Sequence, residues 1–170
     1  MKLAIISDTH GNLANIKTAL KKINEEKVKS IIHCGDIGGP ETFKVFEEFD
    51  GSVFAVLGNM DEGYFNKEDF ETGRFPDIKL FGSADSAGTE WGEIEFGGKK
   101  IVFVHLPEIA KDLAKSQKYD LVFYGHTHYP YQEKIGKTEY INPGNLSGIF
   151  YRPSFAIYDT QTNKLELKVL

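Results

Sequence analysis

The first 57 residues alternate short apolar runs with amphipathic segments, and this alternation limits the possible folds more than any other feature. The apolar runs cover residues 3–6, 30–34 and 53–57, and the first is unbroken, as expected of a strand buried on both faces. Apolar residues recur at spacings of three and four from Leu13 to Ile23, and Pro40 opens a second helical segment. This β-α-β-α-β order predicts parallel strands joined by helices.

The second half of the chain has a different pattern, with more strands and fewer helices. Residues 94–96 and 101–104 are predicted to form a hairpin through Gly97-Gly98, and residues 107–117 to form a helix. Further strands are predicted at residues 78–81, 121–124, 132–135, 138–141, 155–158 and 165–169. We therefore expect an α/β fold of two mixed β-sheets packed as a sandwich flanked by helices. Residues 61–77 are polar and poorly periodic and are interpreted as a long surface loop.

Length, charge and cysteine content exclude several classes of protein. The 170 residues suit a single domain spanning residues 1–170. The 20 Lys and Arg residues against 25 Asp and Glu residues argue against a stable nucleic acid complex, which needs an excess of positive charge. No apolar run approaches the ~20 residues that cross a bilayer, so no membrane association is expected. One cysteine, Cys34, and the lack of a signal-peptide pattern favour a cytoplasmic protein.

Histidines and acids follow the predicted strands, usually beside a glycine. The carboxyl ends of strands form the edge where ligands bind in open α/β sheets, so these side chains should converge there. A single Asp or Asn in such a position is usually a helix cap or turn former, and a single His is usually structural. Five strand ends that each carry a potential ligand are better explained by a metal site. These candidate ligands are Asp8, His10, Asp36, Asn59, His105, His126 and His128.

The order of these motifs resembles that of the calcineurin-like metallophosphoesterase superfamily. That pattern is Asp-x-His, Gly-Asp, Gly-Asn-His-Asp/Glu, a later His, and Gly-His-x-His, and the match covers nearly the whole chain. The short length is most similar to that of the small stand-alone prokaryotic phosphodiesterases. The stretch from Asn142 to Asn145 is similar to the Asn-Pro-Gly-Ser stretch of those enzymes. The resemblance implies the same sandwich of two mixed sheets flanked by helices.

The resemblance also implies a dinuclear site with Asp36 as the bridging ligand. Its first metal would bind Asp8, His10, Asp36 and His128, and its second would bind Asp36, Asn59, His105 and His126. Asp36, Asn59 and His126 would be the catalytic residues. The all-nitrogen and oxygen donor set suits two divalent transition-metal ions, with Mn expected first and Ni, Fe, Co or Zn as alternatives.

Met60 departs from the family pattern, which has a histidine at this position beside the substrate. A thioether cannot ionise or donate a hydrogen bond, so a proton donor for the leaving oxygen is missing. General acid catalysis typically contributes about 10²–10⁴-fold. We expect slower turnover of poor leaving groups and no defined role for Asp61, which would orient that histidine in the family.

Three functions remain open at this stage. The first is a dinuclear-metal-dependent phosphodiesterase that hydrolyses small phosphodiesters with a metal-bridging hydroxide as nucleophile. The second is a phosphomonoesterase that uses the same site. The third is a non-catalytic protein-binding scaffold of the same fold, similar to the retromer subunit, although such scaffolds have lost metal ligands. The oligomeric state and the natural substrate are not predicted.

A few other side chains are assigned from local pattern alone. His33 and Cys34 are interpreted as structural residues of the second strand. The aromatic residues of two segments either line a substrate cleft or pin their loops to the body of the protein. These aromatic residues are Tyr64, Phe65, Phe70, Tyr129 and Tyr131.

Overall fold

The computed structural model describes residues 1–66, 75, 77–83, 85 and 87–170. The helices are α1 (Leu13–Glu25), α2 (Pro40–Phe46) and α3 (Pro107–Lys115), and a 3₁₀ turn covers Asn59–Asp61. The strands are β1 (Lys2–Ile6), β2 (Ser30–His33), β3 (Ser52–Val56), β4 (Ile78–Phe81), β5 (Trp91–Phe96), β6 (Lys99–Val104), β7 (Leu121–Phe123), β8 (Tyr131–Ile135), β9 (Thr138–Asn142), β10 (Ser154–Asp159) and β11 (Lys164–Val169).

The strands form two mixed sheets, as predicted. The first sheet has the order β11-β10-β1-β2-β3-β4, in which β1 to β4 are parallel and the two carboxyl-terminal strands are antiparallel. The second has the order β5-β6-β7-β9-β8, with a parallel centre between two antiparallel edge strands. The last two strands of the chain, β10 and β11, therefore complete the sheet that the first strands of the chain begin.

Three apolar clusters separate the structure into helix, sheet, sheet and helix layers. Along β1, Leu3 and Ile5 face the second sheet, whereas Ala4 and Ile6 face α1 and α2. This alternation explains the unbroken apolar run, because both faces of the strand are covered. The outer face of the second sheet packs on α3 through Ala110 and its neighbours. The fold is therefore the predicted sandwich flanked by helices.

Local sequence signals account for the helix starts and for the hairpin. Asn12 caps α1, because its side-chain oxygen accepts a hydrogen bond from the N–H of Asn15 at 3.2 Å. Pro40 and Pro107 stand in the first turns of α2 and α3. Gly97 and Gly98 have φ values of 56° and 77°, so the β5–β6 turn needs the left-handed conformation that glycine adopts readily.

The predicted surface loop at residues 61–77 is wrong at its amino-terminal end. Asp61 is fully buried, and Phe65 packs against Phe43 with ring centroids 5.4 Å apart. Phe65 therefore pins this segment to the helical layer, whereas Tyr64 is exposed. Phe70 and the rest of residues 67–74 lie outside the described residues. No sequence pattern indicates the burial of Asp61, because its hydrogen-bond partners are backbone N–H groups.

Asp61 clamps together the loops that follow β2 and β3. Its carboxylate accepts hydrogen bonds from the N–H groups of Ile37 (2.8 Å), Gly38 (2.9 Å) and Gly58 (2.8 Å). Burial raises the pKa of this carboxyl, while these N–H donors act in the opposite direction. Asp61 thus holds the segment around Asp36 against the segment before Asn59. It therefore has a structural role, although Met60 replaces the histidine that Asp61 was expected to orient.

No helix among the described residues has the length and apolar character needed to cross a lipid bilayer. The described part of the chain is instead organised around the two sheets.

We predict that Asp61→Asn destabilises the fold by about 3 kcal/mol, because an amide NH₂ group would face backbone N–H donors. Urea unfolding of metal-free protein at neutral pH measures the change. Asp50→Asn is the matched control, since the Asp50 side chain is 92% exposed and pairs only with Lys29 among the described ion pairs. Equal stability of the two variants would contradict the clamp.

Candidate metal centre

The seven predicted ligands lie at one end of the sandwich, where strands of both sheets finish. Asp8 and His10 follow β1, Asp36 follows β2, and Asn59 begins the turn after β3. The second sheet contributes the others, since His105 follows β6 directly and the Gly-His-x-His pair follows β7. Sheet packing therefore brings together residues up to 120 positions apart in the sequence.

Four of these side chains form a compact first group. The candidate ligand atoms of Asp8, His10, Asp36 and His128 all lie within 4.8 Å of one another. The Nε2 atoms of His10 and His128 are 3.2 Å apart, and the Nε2 atom of His128 is 3.3 Å from Asp8 Oδ1. Two imidazoles and two carboxylates that converge in this way can hold one divalent cation.

The remaining three side chains form a second group around one amide oxygen. Asn59 Oδ1 lies 2.9 Å from His105 Nε2 and 2.9 Å from His126 Nδ1. Asn59 and His126 are exposed, whereas His105 is fully buried. The second group is therefore open to solvent on one side, where a ligand could approach it.

Asp36 lies between the two groups and contacts both. Its Oδ2 atom is 3.6 Å from His10 Nε2, and its Oδ1 atom is 3.4 Å from His105 Nε2. Oδ1 also accepts a hydrogen bond from the N–H of Met60 at 2.9 Å. The two carboxylate oxygens are thus divided between the groups, as a bridging ligand requires.

Hydrogen bonds on the far side of two imidazoles orient them toward the site. His105 Nδ1 is 2.9 Å from the carbonyl of Cys34, and His128 Nδ1 is 3.2 Å from the carbonyl of Ile149. A carbonyl only accepts, so Nδ1 must carry the proton in each ring. The neutral rings then present the Nε2 lone pair to the site, which is the form that ligates metals.

The electrostatics of the site favour positive charge. Burial acts to raise the pKa of Asp36, but the hydrogen bond and charge of His105 prevail and hold it below its ordinary value. Burial acts to lower the pKa of His105, yet the same pairing with Asp36 raises it. The hydrogen bond from His128 to Asp8 likewise raises the pKa of His128. The raised pKa values of His105 and His128 mean that the site attracts positive charge. Its nitrogen and oxygen donors fit divalent cations.

Backbone conformation also sets these residues apart. Positive φ is uncommon for residues other than glycine and is costly unless surrounding contacts enforce it. Five of the seven ligands nevertheless have φ between 44° and 67°. Such strain clusters at functional sites, because it aims side chains that a relaxed backbone would direct elsewhere. These five residues are Asp8, His10, Asp36, His126 and His128.

Gly58 allows the loops after β2 and β3 to approach closely. A Cβ atom at this position would lie 2.1 Å from Asp36 Oδ1. Any side chain here would displace the carboxylate that joins the two groups. The glycine beside Asn59 is therefore needed for close approach of the two loops.

His33 supports the site from inside the first sheet without joining either group. It is fully buried, and burial lowers its pKa to about 3. Its Nε2 atom is 2.9 Å from Thr9 Oγ1, and its Nδ1 atom accepts a hydrogen bond from the N–H of Gly35. Thr9 in turn donates to the carbonyl of Ile37 at 2.9 Å. This network fixes the loop between Asp8 and His10, and the interpretation of His33 as structural agrees with it.

Sequence reasoning missed two asparagines that hold the Gly-His-x-His segment. The Asn142 side chain donates to the carbonyl of Gly125 at 2.8 Å, and that of Asn145 donates to the carbonyl of His128 at 3.1 Å. Their position in the Asn-Pro-Gly-Asn stretch was the available signal. A turn-forming role explained that stretch equally well from sequence alone.

Comparisons with known proteins agree with this geometry. Phosphodiesterase MJ0936 of Methanocaldococcus jannaschii is 32% identical over 172 residues, which cover 100% of this chain and 99% of that protein. The structure of a novel archaeal phosphodiesterase superposes with a TM-score of 0.87 at 29% identity, with full coverage of both chains. Zinc-bound Vps29 from Entamoeba histolytica shares the fold, with a TM-score of 0.66, 18% identity, and coverage of 100% of this chain and 98% of that one.

The family model for the calcineurin-like phosphoesterase superfamily domain matches residues 1–163. The chain therefore belongs to the calcineurin-like phosphoesterase superfamily.

Proposed function

We propose that this protein is a metal-dependent phosphodiesterase that acts on small phosphodiesters, with residues 1–170 forming one catalytic domain in the cytoplasm. The observation that carries the proposal is the division of the Asp36 carboxylate between two groups of nitrogen and oxygen ligands. The similarity to phosphodiesterases along the whole chain supports the reaction class.

The proposed site holds two divalent transition-metal ions, Mn in the first instance, with Ni, Fe, Co or Zn as alternatives. Asp8, His10, Asp36 and His128 would hold one ion, and Asp36, Asn59, His105 and His126 the other. When bound, such a pair supplies Lewis acidity and a bridging hydroxide as the nucleophile.

The charges of the protein ligands match a phosphodiester monoanion. Asp8 and Asp36 are the two carboxylates among the seven ligands, so they cancel only half of the charge of two divalent ions. Asn59 contributes a neutral oxygen, which preserves the remaining positive charge for the substrate. A monoester dianion would also be attracted, so charge favours the diester only modestly over the phosphomonoesterase alternative.

Asp36, Asn59 and His126 are the proposed catalytic residues. Asp36 sets the relative position of the two groups, and the buried clamp around it keeps that position fixed. Asn59 and His126 are exposed, so a phosphate can reach them. The imidazole of His126 would orient a phosphate oxygen toward the reacting centre, since its Nδ1 atom already lies beside Asn59.

Met60 supplies no proton donor to the open side of the site. Its side chain is 57% exposed, and its N–H is directed to Asp36. A leaving group that departs readily as an anion does not need protonation. This supports a preference for diesters with good leaving groups.

The scaffold alternative is less well supported by this chain. The Vps29 likeness lies under 20% identity and concerns the fold alone. A protein-binding role needs none of the seven candidate ligands, whereas this chain places them in two groups that Asp36 joins. The backbone is strained at five of these candidate ligands, which is energetically costly, and metal binding would explain this strain.

We predict that Asp36→Asn loses both metal ions, because a neutral amide cannot hold two cations together. Asn can still accept the N–H of Met60, so the local hydrogen bond is preserved. Elemental analysis after reconstitution with Mn should give two ions per chain for the wild type and for the surface control Asp50→Asn. Two ions per chain in Asp36→Asn would exclude the bridging role.

We also predict that diesters are better substrates than matched monoesters. Methyl p-nitrophenyl phosphate and p-nitrophenyl phosphate share one leaving group and differ in charge. We expect kcat/KM to be about tenfold higher for the diester, which corresponds to about 1.4 kcal/mol of transition-state stabilisation. An equal or higher value for the monoester would favour the phosphomonoesterase.

A third prediction is that Met60→His lowers the sensitivity of kcat/KM to the leaving group. The new imidazole could protonate a poor leaving group. The gain should stay below the full general-acid range, since the surroundings of Met60 accommodate a thioether. Esters of graded leaving-group pKa measure the slope, and Met60→Leu controls for shape. Parallel slopes in both variants would mean that proton donation is not limiting.

A further inference from the structure

An exposed aromatic surface, here called the aromatic rim (Tyr129, Phe150 and Tyr151), borders the first ligand group. Phe150 is 86% exposed, and Tyr129 and Tyr151 are 53% and 46% exposed. Single exposed apolar residues are common and need no explanation. Three aromatic side chains at one place differ from that background, because clustered apolar exposure marks binding surfaces.

The aromatic rim is in direct contact with the candidate metal centre. The ring centroids of Phe150 and His128 are 5.6 Å apart, with an interplanar angle of 53°. Tyr151 packs edge-to-face on Tyr129, the residue after His128, with centroids 5.3 Å apart. A ligand with its phosphate at the first group could therefore extend its ester substituent over Phe150.

The loop that carries Phe150 is fixed to the same segments that carry Asp8 and His128. The N–H of Leu146 donates to Ser7 at 3.0 Å, and the N–H of Ser147 donates to Asp8 at 2.9 Å. Leu146 is fully buried. The aromatic rim is thus held in place relative to the ligands before any substrate binds, which lowers the entropic cost of binding.

Phe150 has a left-handed backbone conformation, with φ of 66°. This conformation is unfavourable for a bulky side chain, and no burial of the ring offsets it in the described structure. A glycine or asparagine would adopt this backbone conformation at a lower energetic cost. An unfavourable conformation that presents an exposed ring beside a metal centre points to ligand binding.

We infer that the aromatic rim binds a planar aromatic ester group of the phosphodiester substrate, with Phe150 as the main stacking surface. This inference rests on the proposed function and defines its substrate class as diesters that carry a ring such as a nucleobase or a phenyl group. Aromatic rings stack in offset or edge-to-face geometry on an open ring face, whereas saturated rings gain only apolar contact.

Binding of two size-matched diesters tests the inference. Diphenyl phosphate and dicyclohexyl phosphate differ in aromaticity, and calorimetry with Mn-loaded protein measures their affinities. We expect the wild type to bind diphenyl phosphate about 5- to 10-fold more tightly. Phe150→Leu keeps an apolar side chain and should reduce this preference to less than about twofold. Leu167→Ala, at an exposed position of β11, should leave it unchanged.

A kinetic arm separates failure of this inference from failure of the proposed function. With bis(p-nitrophenyl) phosphate, Phe150→Ala should raise KM about 5- to 10-fold with little change in kcat. If the protein hydrolyses bis(p-nitrophenyl) phosphate but Phe150→Leu keeps the full preference for diphenyl phosphate, the role of the aromatic rim is overturned. The proposal of a phosphodiesterase would still stand. If Phe150→Leu loses the preference for diphenyl phosphate but the wild type hydrolyses no diester, the result supports the aromatic rim and overturns the proposed reaction.

Discussion

The candidate site depends on the contacts that the buried Asp36 carboxylate makes with both groups of side chains. Burial of a charge is costly unless partners offset it, and Asp36 is only 2% exposed. Histidines from both ligand groups and a backbone N–H surround it. Asp61 clamps the adjoining backbone, and Gly58 leaves room for the carboxylate. The polar end of the sandwich therefore places the Asp36 carboxylate between the two groups of candidate ligands.

Packing of the two sheets makes this placement possible. The first sheet presents its parallel strand ends where β6 and β7 of the second sheet also finish, and apolar residues such as Ile5 and Phe103 fill the space between them. Either sheet alone would carry an incomplete set of ligands. Rigid packing below the site also explains how strained conformations persist at five ligand positions, since the core resists the relaxation that would relieve them.

The proposed chemistry agrees with the character of the residues around the site. Met60 supplies no proton donor, so the proposed reaction would depend on the metal ions and on the leaving group. The aromatic rim adds apolar contact surface on the side of His128. Together these features agree with the proposed preference for aromatic ester groups, because an aryloxide is a better leaving group than an alkoxide and an aryl ring stacks better than an alkyl group.

Local sequence patterns were sufficient to predict the strands, the helix starts and the order of the seven candidate ligands. Unbroken apolar runs, helix-opening prolines and the Gly97-Gly98 turn are local signals, so they could be read without the fold. The role of Asp61 and the exposure of Phe150 could not, because both depend on backbone and side chains distant in the chain. The folded structure was needed to show that β10 and β11 complete the first sheet and that the two oxygens of Asp36 face different groups. Those features arise from sheet pairing and close packing, which no local pattern records.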